Sequence, residues 1–265
     1  MLGLSEEELK EAEERSSVTV RVVHEAVRRE GEDELKRTSS ALAWSGLAAG
    51  LSMGFSLMGQ GILYSKLPDA PWRPLLSSFG YTIGFLIVIL GRQQLFTENT
   101  LTPILPLLAR RDRTTAFHVA RLWTVVLLSN LAGSLVIPTV LAKTEAFPPD
   151  VRAAFASIAG DAVPVGFGLA LLRGVFAGWV MALLVWMLPF AETGRFFVIV
   201  TFTWVIGVCG FTHVVAGSVE AFFAAATGIV SWPTAIGAYI VPTLVGNILG
   251  GVSLVSALAH AQVTS

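Results

Sequence analysis

Six stretches of the sequence are each long and apolar enough to cross a bilayer, and this restricts the chain to helices in lipid. A hydrocarbon core about 30 Å thick needs roughly 20 apolar residues per helix. The first stretch covers about 41–64, the third about 115–141, the fourth about 165–189 and the sixth about 234–260. The second, about 74–108, is interrupted by the polar run GRQQLFTENT, and the fifth, about 196–228, by GVCGFTH at Gly207–His213. Open strands cannot satisfy their backbone in lipid. The reading is an all-α membrane protein of six spans, with the second and fifth helices broken.

Charge placement supports this division. Only 14% of the 265 residues are charged, against about 25% in soluble domains. Residues 1–37 hold 7 Lys/Arg and 11 Asp/Glu, whereas the remainder holds 11 and 8. The chain therefore divides into an N-terminal tail, 1–37, and a channel domain, 38–265. A composition this apolar excludes a disordered chain and an ordinary soluble enzyme, and no basic excess points to nucleic acid. A lone Cys209 and four scattered histidines, His24, His118, His213 and His260, offer no ligand spacing, so neither a metal nor a cofactor is expected. No nucleophile–base pair is apparent, which argues against an intramembrane enzyme.

In the tail, Met1–Glu14 is acidic and amphipathic rather than a cleavable signal. Val20, Val23 and Val27 recur at helical spacing, predicting an amphipathic helix against the bundle or the membrane interface. With both termini cytoplasmic, the inner loops collect the basic tail, Arg110, Arg111, Arg113 and Arg195, while the outer loops hold Lys66, Arg73, Lys143 and Arg152. The positive-inside rule favours that orientation, in a bacterial inner membrane.

An internal repeat connects the two breaks. Leu95-Phe96-Thr97-Glu98 in the second span matches Gly210-Phe211-Thr212-His213 in the fifth at an offset of 115 residues. Asn130-Leu-Ala-Gly133 in the third matches Asn247-Ile-Leu-Gly250 in the sixth at 117. Halves of three spans each (about 41–141 and 165–260) must be inverted relative to one another, an architecture used by transporters with a site near the midplane. A broken helix leaves N–H groups free at its second half, which favours a small anion. His213 starts one second half and Thr97 lies in the other break. An imidazole can exchange a proton near neutral pH.

Leu95-Phe96-Thr97, Gly210-Phe211-Thr212-His213 and Val241-Pro242-Thr243-Leu244-Val245-Gly246-Asn247-Ile248-Leu249-Gly250-Gly251 together resemble the formate/nitrite transporter family, over about residues 41–260. The resemblance implies an aquaporin-like fold and a homopentamer in lipid, with one pore per subunit for a small monovalent anion or its neutral acid. It implies a pore site of Thr97, His213, Asn247 and Thr212. It further implies constrictions from Tyr81, Phe85, Leu95, Phe96 and Ile206.

Three departures set this chain in a divergent subgroup. Thr212 stands where many members carry an acidic residue before the pore histidine. No lysine matches the family's outer vestibule near Asp161-Ala162. Glu98 follows Thr97 where a small polar residue is usual, and Arg92 is placed to neutralise it as an ion pair. Arg173 and Glu220 are the remaining charges at membrane depth, also candidates for pairing.

The expected mechanism brings an anion through an electropositive vestibule to the Thr97/His213/Asn247 site, where proton transfer through His213 lets it pass as the neutral acid. Two alternatives stand beside it. One is a pore for water or a small polyol; the other is a non-conducting scaffold or sensor using the acidic tail.

Overall fold

A computed structural model describes residues 18–163 and 166–264, so Met1–Glu14 lies outside the described residues. The described chain is helical from end to end, without strands. Five helical runs have the length and apolarity to cross a membrane: Ser39–Lys66, Arg73–Leu90, Arg113–Lys143, Phe167–Phe190 and Thr234–Ser253. The stretch expected as a fifth span is two shorter helices, Arg195–Val208 and Val214–Ala226.

In chain order, α1 is Val20–Lys36, α2 Ser39–Lys66, α3 Arg73–Leu90 and α4 Ile104–Arg110. Helix α5 is Arg113–Lys143, α6 Pro149–Ala162, α7 Phe167–Met187, α8 Arg195–Val208 and α9 Val214–Ala226. The last run holds α10, Val241–Ile248, between wider-wound turns at Thr234–Ile240 and Leu249–Ser256, and ends in α11, Ala257–Thr264. Polar caps begin α2 and α5: Thr38 Oγ1 accepts from Ala41 N, and Asp112 Oδ1 accepts from Thr115 N at 2.9 Å. Such caps satisfy N–H groups that a first turn leaves without partners.

Helix α1 is amphipathic as the valine spacing predicts, but its buried stripe runs through His24, Val27, Gly31 and Leu35. Val20 and Val23 are only half-buried. The helix lies across one end of the bundle. Glu32 pairs with Arg110 there, and Arg121 donates to the carbonyls of Leu35 and Arg37. Gly31 is packed so closely on the Thr102 carbonyl that a side chain would collide with it.

Close helix crossings define each half of the bundle. Gly50 of α2 abuts the Asn130 carbonyl of α5, and Gly178 of α7 abuts the Asn247 carbonyl of α10. Small residues allow such approach, which replaces the hydrophobic drive that lipid cannot supply. Outward faces carry large apolar side chains, among them Phe79, Phe117, Leu128, Phe196 and Phe197. In water such a surface is untenable; in a membrane it is the solvated face.

Candidate functional site

Both helix breaks begin in the same way. At the end of α3, Gly91 N donates to Ile87 O and Gln93 N to Val88 O, with Arg92 between them at φ 50°. At the end of α8, Cys209 N donates to Val205 O and Phe211 N to Ile206 O, with Gly210 at φ 60°. A left-handed residue followed by a bond back across the last turn closes a helix. Every one of these pairs is 118 residues apart.

Both breaks are also clamped in the same way. Asn130 of α5 accepts from Phe96 N through Oδ1 at 2.9 Å and donates through Nδ2 to the carbonyls of Gly46 and Gln94. Asn247 of α10 accepts from Val214 N at 2.8 Å and donates to the carbonyls of Gly174 and Thr212. Each asparagine is fully buried and thereby satisfies backbone groups freed by the break.

The hydrogen bonds of the two breaks thus repeat at one offset, and that offset differs from the one in the motif match. The shared Phe-Thr pairs align Thr97 with Thr212, whereas the hydrogen bonds align Leu95 with His213 and Thr97 with Val215. Backbone partners, rather than two matching side chains, set the equivalence.

From these clamps the two breaks reach each other. His213 is the N-cap of α9: its Nδ1 accepts from Val215 N at 3.3 Å and Ala216 N at 3.1 Å. Its Nε2 lies 2.8 Å from Thr97 Oγ1. Because Nδ1 accepts, the neutral ring carries its proton on Nε2 and donates it to Thr97. A proton on Nδ1 would point at two N–H groups and break the cap. Both ring nitrogens are thus already engaged.

The expected site residues separate into distinct tasks. Thr97 and His213 meet directly. Thr212 Oγ1 donates to Ala170 O at 2.7 Å, and Asn247 spends its amide on the backbone. Phe85 packs edge-on against the His213 ring, with centroids 5.0 Å apart, and Tyr81 lies against Phe85. Leu95 and Ile206 are fully buried, and Phe96 packs against Trp123 of α5.

A cavity opens at each end of α3. One, about 700 Å³, lies beneath α1 and is lined by Glu30, Asp33, Glu34 and Glu98 among acids and Arg37, Arg92 and Arg195 among bases. The other, about 250 Å³, lies at the opposite end and is lined by Tyr81, Asp161, Arg173, Ile206, Thr212, His213 and Glu220. Each lining holds one more carboxyl group than guanidinium groups. Among the described residues of the tail, Arg28, Arg29 and Lys36 pair with its own acids, Arg28 with both Glu25 and Glu32.

The expected ion pairs do not form among the described residues. Arg92 and Glu98 line one cavity without bonding, and Glu98 Oε1 has no hydrogen-bond partner. Arg92 is exposed, while Glu98 is half-buried at the start of the turn Glu98–Thr100. Arg173 and Glu220 share the second cavity, also without an ion pair.

Glu34, on α1, belongs to the candidate site although the sequence reading passed over it. Its carboxylate accepts from Thr102 Oγ1 at 2.7 Å and Gln94 Nε2 at 3.2 Å, tying α1 to the first break. Burial pushes its carboxyl up to about 7, despite those two hydrogen bonds. Its only sequence signal was its place one residue from Leu35 on an amphipathic helix.

Comparison with known proteins agrees with this geometry. The profile of the formate/nitrite transporter family matches residues 21–261. The chain is 39% identical over 251 residues to the inner membrane protein YfdC of Escherichia coli (strain K12), covering 95% of this chain and 81% of that protein. A pentameric formate channel with formate bound shares the fold, with a TM-score of 0.70, 20% identity, and coverage of 90% of this chain and 99% of that one. An FNT family ion channel superposes with a TM-score of 0.75 at 19% identity, covering 92% and 98%. The clamped breaks, the apolar spans and these matches lead to one conclusion: this chain belongs to the formate/nitrite transporter family.

Proposed function

We propose that the protein conducts a small monovalent anion of the formate or nitrite type, crossing the narrowest part of its path as the neutral acid. The supporting observation is the 2.8 Å contact between Thr97 Oγ1 and His213 Nε2, which joins the two breaks within an apolar collar. With Nε2–H donating to Thr97, the threonine hydroxyl is free to donate onward to a passing oxygen. Tyr81, Phe85 and Ile206 on one side and Leu95 and Phe96 on the other exclude hydrated ions from this point. A bare anion in such surroundings lacks the water that stabilised it, so its protonated form is favoured.

The same reading places α8 and α9 as one broken crossing. It takes the assembly as a homopentamer in a bacterial inner membrane, by analogy with the pentameric formate channel and YfdC. The positive-inside rule puts α1 and the larger cavity on the cytoplasmic side.

Flux of formate and nitrite into reconstituted vesicles tests the reading. His213→Asn retains an N-cap acceptor but shortens the reach to Thr97, and is expected to lower formate flux about tenfold or more. Unchanged flux in that variant would remove the central histidine from the mechanism. A second reading, a pore for neutral polar solutes, is favoured by the excess of carboxyl groups in both cavities. Glycerol-driven swelling of the same vesicles, without formate flux, is its distinguishing result.

A further inference from the structure

The cavity at the His213 end of the path contains a carboxyl group that the transport reading leaves without a task. Glu220 lies seven residues after His213, so both fall on one face of α9. Its side chain is only 8% exposed, yet it forms no ion pair among the described residues and lines the cavity that His213 lines. Around it stand Asp161 of α6, Arg173 of α7, Tyr64 of α2, Tyr81 of α3 and Tyr239 of the last helical run. Arg173 is half-buried at the mouth of the break: a methyl group built on Gly210 would lie 3.9 Å from its Nη1.

These groups divide two tasks between them. A guanidinium without a carboxylate partner is a ready anchor for a small oxyanion. A carboxylic acid in the same cavity can donate a proton to it. His213 is poorly arranged for that exchange, since Nδ1 caps α9 and Nε2 is held by Thr97. Charge attraction does not fill the gap either, because Asp161 lines the same cavity as Arg173 and offsets its charge. An anion that gains a proton here no longer depends on that attraction.

Resting on the transport reading above, we propose that Glu220 is the proton-exchange group of this cavity, protonating a small weak-acid monoanion held by Arg173 before it reaches His213. The O–H bond of the Glu220 carboxylic acid breaks as an O–H bond forms on the anion. Glu220 remains as the carboxylate and regains its proton from water in the cavity. In the opposite direction of flow the same steps run in reverse, with Glu220 accepting the proton.

Formate influx into vesicles holding the full-length protein, measured at external pH of about 5.5 and 7.5, tests the assignment. Glu220→Gln is expected to reduce influx at least about tenfold at the higher pH. The loss should be much smaller at the lower pH, where more formate arrives already protonated. Glu220→Asp should keep the wild-type pH profile, and Arg173→Gln should raise the half-saturating formate concentration while retaining that profile. Influx in Glu220→Gln equal to or above wild type at both pH values would identify a fixed repelling charge and overturn the proposal. Equal losses in Glu220→Gln and Glu220→Asp with no change in pH profile would identify a packing role and overturn it as well. Wild-type vesicles no more permeable to formate than empty ones would instead defeat the transport reading, and the assignment with it.

Discussion

The two helix breaks are built alike where they begin and differently where they end. Each starts with a left-handed residue and a bond back across the last turn, and each is held by one buried asparagine. Beyond the clamp they diverge. The first runs on through the turn Glu98–Thr100 to α4, and is strapped from outside by Glu34 of α1. The second enters α9 at once, with His213 as its cap. The common part solves the backbone problem of interrupting a helix in lipid; the part that differs places one hydroxyl and one imidazole against each other.

The clamps offer the strongest way to break this comparison. Asn130→Ala and Asn247→Ala each remove one acceptor and two donors from buried backbone groups, at a cost of about 2–4 kcal/mol. If the clamps are equivalent, thermal denaturation in detergent should show similar losses for both variants. A large loss for one and none for the other would mean that the symmetry is only geometric.

The strap tests what is particular to the first break. Glu34 has its carboxyl raised to about 7 by burial, so the docked state binds more protons than the released state between about 4.5 and 7. Docking of α1 should therefore be firmest below that window and weaken as pH rises through it, then level off. Amide-exchange protection of residues 94–103 should fall between about pH 5 and pH 8. Glu34→Gln, which keeps one acceptor oxygen and presents an amide N–H at the other position, should flatten the dependence, while protection around His213 stays unchanged in both proteins. A pH response of equal size at the second break would show that the two are not independently held.

The smallest effect concerns the starting turns. Gly210 adopts its positive φ without cost, whereas Arg92 does so as a non-glycine residue. Arg92→Gly should stabilise the protein by less than about 1 kcal/mol, since glycine's greater freedom in the unfolded chain offsets part of the relief. Gly210→Arg should destabilise by a comparable amount. A fall in melting temperature for Arg92→Gly would point to a contact of the guanidinium that outweighs its backbone strain.

Much of this was readable in advance. Apolar run length gave five of the six expected spans as long apolar helices, because a bilayer imposes one length on every crossing helix. Polar residues within two of those runs located the breaks, since lipid does not tolerate idle backbone polarity. Thr97, His213 and Asn247 were expected together, and of these Thr97 and His213 touch. Asn130 and Asn247 were legible as a repeat, but not as clamps, because their partners are carbonyls and N–H groups that every sequence carries invisibly.

The sequence by itself determined the solvent of this protein, its helical class, the positions of both interruptions and the residues that meet between them. Only the tertiary structure decided the register of the repeat, the separation of Arg92 from Glu98, and the cavity shared by Arg173 and Glu220. The physical reason is one of range. Hydrophobicity and helix breaking act along the chain, within a few residues. Hydrogen-bond partners and the balance of charge in a cavity depend on distances in space between groups that lie on different helices.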